Sequence, residues 1–283
     1  MQSKAIYSYC ENLVREADRD RFLATLFAPA ECRGALFALY AFNVEVSSVR
    51  ERIREPLAGG LRLQWWKEVL DRTRDAGGHP TACAMREVVA RHALSLAGLH
   101  NLLEARIFDL YNEPMPGLAE LDAYAHQTSS GLMALAMQIL GDTTAEPSPA
   151  VPAGIAYAIT GLLRALPHHS ARGQVFVPDE LLSRHRIGRE TVLSGRMNVG
   201  LVSALRELRD HARRQLETAR EPLAALPHRL IPALLPAALV RLYLDRMDQP
   251  DYDPFVTPVE VPQWRRQWAL WRAARAPRRI AAG

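Results

Sequence analysis

Two apolar segments of the chain each end in a cluster of polar side chains, and those clusters are where chemistry could reside. The first follows Leu36-Phe37-Ala38-Leu39-Tyr40-Ala41-Phe42, after which Asn43, Glu45, Ser47, Ser48 and Glu51 bring amide, hydroxyl and acidic groups onto an otherwise buried helix. Buried polar groups need partners, so this half of the helix either lines a cavity or leaves the core for solvent. The second cluster, Arg164, His168, His169 and Arg172, closes the apolar run Ile159-Thr160-Gly161-Leu162-Leu163. Arginine suits anionic groups, because its planar guanidinium can grip a carboxylate or phosphate with two hydrogen bonds. The histidine pair, read as part of a loop, lacks a third or fourth ligand, which argues against a structural metal. A third segment, Arg62-Leu63-Gln64-Trp65-Trp66-Lys67-Glu68, holds adjacent tryptophans. Neighbours on a helix cannot point the same way, so one belongs in the core and the other lines a pocket or covers a neighbouring helix.

The elements that must position these residues read as helices. Apolar residues recur at helical spacing, and no alternating run bounded by turn signals suggests a sheet. Proline and glycine punctuate the pattern and predict helices over about 5–18, 30–54, 58–75, 82–93, 98–111, 118–140, 152–166, 198–220, 229–247 and 262–275. The Pro-rich stretch 143–152 reads as a surface loop. With 283 residues, 48% of them hydrophobic, the chain can bury a large core, and one all-α domain over 1–283 is expected.

Composition narrows the function classes. The net charge is only +4 and no nucleic-acid-reading motif is present, so nucleic acid is not an expected partner. Lys4 and Lys67 are the only lysines, which leaves 33 of the 35 basic residues as arginine. The three cysteines, Cys10, Cys32 and Cys83, are widely spaced and form no CxxC pair, which fits a reducing compartment. The N-terminus shows no apolar signal segment. The longest apolar stretch, 230–240, contains Pro232 and Pro236 and is far short of the ~20 residues a membrane span needs. The expected location is the cytoplasm, with peripheral contact at the inner membrane left open.

That option rests on the C-terminal helix at 262–276. Trp264, Trp268 and Trp271 form one stripe at i, i+4 and i+7, among Arg265, Arg266, Arg272 and Arg275. The stripe either packs on the bundle or lies in a membrane interface, whose composition it has. The acidic residues Asp245, Asp248, Asp251 and Asp253 span a helix end and a Pro-rich loop, and read as a solvated connection rather than a metal site.

Taken together, these segments resemble the squalene/phytoene synthase family over nearly the whole chain. The Tyr-Ala-Phe helix is present as Tyr40-Ala41-Phe42, but the family's Asp-Asp-x-x-Asp motif reads Ser47-Ser48-Val49-Arg50-Glu51. The Arg-Leu-x-Trp-Trp-Lys-Glu segment is matched at 62–68. The Asp-Leu that ends a middle helix is matched by Asp109-Leu110, and the Leu-x-x-Tyr helix by 121–141. The second acidic motif reads Leu163-Arg164-Ala165-Leu166-Pro167-His168-His169, followed by Arg172-Gly173 and Phe176-Val177-Pro178. A narrower likeness is to the branch of phytoene-synthase-like assembly factors of mitochondrial respiratory complex I and their bacterial relatives. It rests on Ala41-Phe42-Asn43-Val44-Glu45, on 62–67, on the Ile-Thr-Gly-Leu-Leu-Arg-Ala-x-Pro-x-His segment from Ile159 to His169, and on Asp251-Tyr252-Asp253-Pro254-Phe255 ahead of Trp264-Arg265.

The resemblance implies an all-α, isoprenoid-synthase-like helical bundle around a central cavity. In the family, facing carboxylates hold Mg²⁺, a hard cation that needs oxygen ligands and neutralises the departing diphosphate. Here Ser47, Ser48, Ala165 and His169 stand at those positions. The chain is therefore expected to be non-catalytic and to bind no cofactor. Its role would be an assembly factor working with respiratory-complex subunits, or a binder of an isoprenoid or lipid. By position, the repurposed pocket would comprise Tyr40, Asn43, Ser47, Ser48, Glu51, Arg164, His168, His169 and Arg172. The alternative is an active prenyltransferase that joins two prenyl diphosphates head to head, and only that reading brings in Mg²⁺.

Overall fold

Proline and small polar residues set where the helices begin. Pro56 and Pro80 open the helices Pro56–Leu70 and Pro80–His92, where a residue lacking N–H loses nothing. Asp18, Ser95 and Asn198 cap the helices Arg19–Thr25, Leu96–Ala105 and Val199–Thr218 by accepting from the backbone N–H of Arg21, Gly98 and Leu201. The computed structural model describes residues 2–142 and 148–282, and among them there is no strand. The 143–147 part of the expected loop lies outside the described residues, and a helix begins at Ala150.

The chain divides into two compact units, each assembled from separate stretches. The first comprises Met1–Tyr111, Gly131–Ser148 and Leu226–Pro236. Its centre is the helix Ala30–Ser47, which is buried almost all round from Ala35 to Asn43, as a helix without a polar face must be. The helices Gln2–Ala17, Pro80–His92 and Gly131–Ile139 pack around it. Phe42 meets Trp66 edge to face at 5.0 Å, a geometry worth about 0.5–1.5 kcal/mol beyond its buried area.

The second unit comprises Asn112–Ser130, Pro149–Ala225 and Ala237–Gly283. Its centre is the helix Ala150–Arg164, packed against Val199–Thr218, Val240–Met247 and a wide π-turn at His126–Ser130. Gly154 makes that last approach possible. A Cβ there would stand 2.5 Å from Ser130 Cα and 2.6 Å from Ser130 N.

The helices differ from expectation where side chains or proline compete with the backbone ladder. The 30–54 helix breaks at Ser48, which leaves helical geometry at φ −89° and ψ 3°, and a short helix, Val49–Arg52, follows. The 229–247 helix is reduced to Val240–Met247, because Pro232 and Pro236 divide the preceding residues into single turns. Arg19–Thr25 and Asp179–Arg184 are additional helices, too short for periodicity to reveal.

Candidate functional site

In the first unit the polar half of the Ala30–Ser47 helix is organised around Glu45, whose carboxylate is buried. Thr81 Oγ1 donates to its Oε1 at 3.4 Å, and His79 Nε2 lies 3.7 Å from the same oxygen. Its Oε2 faces Arg52 Nη1 at 3.7 Å and Arg62 Nη2 at 3.9 Å. Arg62 Nη2 also sits 3.1 Å from His79 Nε2. Arginine can only donate, so in a hydrogen bond between these two atoms the ring nitrogen is the acceptor. Burial pushes the His79 pKa down; Glu45 opposes that shift, while Arg62 and Arg52 reinforce it. Burial also lowers the Arg62 pKa, with Glu45 opposing.

The tryptophan pair divides as their spacing requires. Trp66 is fully buried, while half-exposed Trp65 carries the Arg62 guanidinium 4.1 Å from its ring centre. Arg62 is therefore held from one side by an aromatic face and from the other by Glu45. Around the acidic-motif positions, Ser47 Oγ donates to the Val44 carbonyl and Ser48 Oγ to the Glu45 carbonyl, both at 3.2 Å. Hydroxyls that turn back on their own helix in this way loosen it, which accounts for the break at Ser48. Tyr40 is buried, with the Arg21 guanidinium 5.7 Å from its ring centre. Asn43 is buried, and its Oδ1 has no hydrogen-bond donor among the described residues. Glu51 is exposed on the first turn of Val49–Arg52.

In the second unit the helix Ala150–Arg164 ends at Ala165, and a new turn, Leu166–Ser170, starts with Pro167 in its first positions. His168 and His169 thus lie on a helical turn rather than a loop, because a proline is tolerated there and its missing N–H breaks only the ladder behind it. Their ring centres are 6.0 Å apart, and His169 lies 4.7 Å from the buried Phe176 ring. Gly173 closes the turn at φ +77°, donating to the Ser170 carbonyl. Arg172 is exposed beside it. The Arg164 guanidinium stacks 3.8 Å from the centre of the Tyr243 ring. Gly161, Arg164 and Ala165 share a helix face and, with Tyr252, Phe255 and Pro258, line a pocket of about 460 Å³. The nine candidate positions thus belong to two sets: Tyr40, Asn43, Ser47, Ser48 and Glu51 lie in the first unit, and Arg164, His168, His169 and Arg172 in the second.

Neither His79 nor Thr81 is marked by its sequence context. A histidine before a helix-opening proline carries no periodic or motif signal, and only folding brings it to Glu45. The acidic residues near the C-terminus are engaged by arginine. Asp248 is bound by Arg209 at 2.7 Å and by Arg213, and Asp251 faces Arg246 at 3.3 Å.

Comparison with known proteins agrees with this helical architecture. The family model for squalene/phytoene synthase matches residues 14–272. The chain belongs to the squalene/phytoene synthase family. Complex I assembly factor 6 of NADH dehydrogenase (ubiquinone) from Bos taurus is 32% identical over 251 residues, 87% of this chain and 75% of that protein. A 15-cis-phytoene synthase from Synechococcus elongatus is 23% identical over 280 residues, 93% of this chain and 91% of that protein. The crystal structure of a dehydrosqualene synthase in complex with a ligand shares the fold, with a TM-score of 0.81 at 17% identity, covering 95% of each chain.

The Mg²⁺ that the squalene/phytoene synthase resemblance implies does not fit the residues present. Mg²⁺ is held through carboxylates and phosphates, and the second motif contains no carboxylate. In the first, Glu51 is the one carboxylate and it is exposed, while the nearby Glu45 has both oxygens facing cations or donors. Among the described residues no group of three or more His, Cys, Asp or Glu side chains is arranged to hold a metal. What the described residues provide instead is a buried ion cluster in the first unit and an arginine-edged pocket in the second.

Proposed function

We propose that this chain is a non-catalytic member of the squalene/phytoene synthase family that acts with respiratory complex I components while that complex is being built. One observation carries the reading. The positions of the family's acidic motifs hold Ser47, Ser48, Ala165 and His169, and buried Glu45 is tied to Arg52, Arg62 and His79. Without a cluster of oxygen ligands, a metal-assisted departure of diphosphate has no electrostatic support. The 32% identity to a complex I assembly factor supplies the partner class. An isoprenoid or lipid ligand fits the same reading, since the 460 Å³ pocket joins apolar walls to the Arg164 guanidinium. So does peripheral contact with the cytoplasmic face of the inner membrane.

Deleting the gene tests the role. Assembled complex I on a native gel should fall and should return when the wild-type chain or the Glu51→Gln variant is supplied. Purified protein given farnesyl diphosphate and Mg²⁺ should release no diphosphate. Full complex I in the deletion strain, or Mg²⁺-dependent diphosphate release, overturns the reading.

A further inference from the structure

The helix Gln263–Arg275 holds to the second unit through Leu270 and Ala273, which are buried, while its tryptophans turn outward. Trp264, Trp268 and Trp271 are 66%, 53% and 40% exposed. Three large aromatic side chains on one exposed helical stripe make a patch that soluble surfaces seldom leave uncovered. The patch is ordered. Trp268 and Trp271 stack at 4.8 Å with their planes 14° apart, and the Arg275 guanidinium lies 3.5 Å from the centre of the Trp271 ring.

Behind the stripe runs a groove of about 280 Å³. Leu242, Trp264 and Trp268 form its apolar wall, and Arg265, Arg272 and Arg279 edge it. Arg279 comes from the next helix, Arg278–Ala282, which is fixed where Arg241 Nε donates to the Ala281 carbonyl at 2.8 Å. From residue 261 to the end of the chain there are six arginines and no acidic residue.

We infer that this tryptophan–arginine face docks on an anionic lipid surface, with the indoles at headgroup level and lipid phosphates against Arg265, Arg272 and Arg279. This rests on the peripheral contact in the proposed function and gives that contact a face and a lipid class. Charge complementarity selects the occupant. A second copy placed on the same face about a two-fold axis would bring its own six arginines against these. A lipid surface offers phosphates to the arginines and an interfacial layer that suits tryptophan. The contact lies in the membrane plane, since no helix among the described residues is long and apolar enough to cross a membrane.

Flotation of the full chain with vesicles tests this. One set is phosphatidylcholine alone and the other contains about one-third phosphatidylglycerol, enough to set up a negative surface potential. Wild-type protein should bind the anionic vesicles at least tenfold more strongly than the neutral ones, lose that preference in high salt, and shift its tryptophan emission to the blue. The triple variant Arg265→Gln, Arg272→Gln, Arg279→Gln should bind anionic vesicles at least tenfold more weakly. The double variant Trp264→Ser, Trp268→Ser should weaken binding and lose most of the emission shift. These side chains sit at the surface, and circular dichroism confirms that the variants are folded. Absence of wild-type binding overturns the proposal, as does binding that neither variant changes. So does a wild-type dimer that the tryptophan variant dissociates. Each of these leaves complex I assembly in the deletion strain unaffected as a measurement, so the two readings fail separately.

Discussion

Arg62 stands 3.9 Å from the Glu45 carboxylate and 4.1 Å from the centre of the Trp65 ring, so one side chain ties two of the family's recognisable segments together. The carboxylate is buried and the guanidinium is about one-third exposed. Of the two, Glu45 depends more on the pair, because a buried charge without a counterion costs more than a charge that can turn to water.

Replacing Arg62 with alanine should therefore destabilise the protein by about 1–3 kcal/mol in urea unfolding. The loss should be smaller in a Glu45→Gln background, since the neutral amide no longer needs a counterion. Equal losses in both backgrounds would show that Arg62 acts through its packing on Trp65 instead.

His79 links this cluster to pH. Its pKa in the folded state lies below the unfolded value near 6.5, through burial, with Arg62 and Arg52 adding to the shift. Below about pH 6.5 the unfolded chain takes up a proton that the folded one resists, so stability falls with acidification until the folded pKa is passed. Burial also lowers the pKa of His92, which contributes the same sign. The variant His79→Gln should flatten, without abolishing, the decline in unfolding free energy between about pH 7.5 and pH 5.5.

The cysteines should separate cleanly by reactivity. Cys10 is fully buried, and burial pushes its thiol pKa up to about 12; Cys32 is also buried, and Cys83 is partly exposed. Thiolate is the reactive form. A thiol reagent at neutral pH should label Cys83 in the native protein and all three cysteines after unfolding.

Two glycines of one helix should respond oppositely to alanine. At Gly154 the added methyl would collide with the Ser130 backbone, and Gly154→Ala should cost about 1–3 kcal/mol or more. At Gly161 nothing lies within 4 Å of the added carbon, and Gly161→Ala should gain about 0.5–1 kcal/mol in thermal or urea unfolding.

Most of the helical architecture was legible because hydrophobic period and proline placement are local signals. The 198–220 reading corresponds to Val199–Thr218, and the 262–275 reading to Gln263–Arg275. The break at Ser48 was not, since a serine can stay in a helix or pull against it, and only its bond to the Glu45 carbonyl shows which. The altered acidic positions were plain in the sequence. The environment of Glu45 was not, because Arg52, Arg62, His79 and Thr81 are joined by packing rather than by spacing. The tryptophan stripe was legible as a stripe, while its outward orientation depended on Leu270 and Ala273 holding the opposite face.

The interleaving of the two units bears on how the chain is made. The first unit draws on 1–111, 131–148 and 226–236, so its last turn leaves the ribosome only after 236 of 283 residues have been synthesised. Until then the helices Arg19–Thr25 and Gly131–Ile139, on which the turn Ile231–Leu234 packs, lack part of their covering, and a nascent chain with exposed apolar surface is a substrate for chaperones and proteases. A premature stop anywhere before residue 226 would remove a piece of both units. Alleles truncated before that point should accordingly yield no folded fragment.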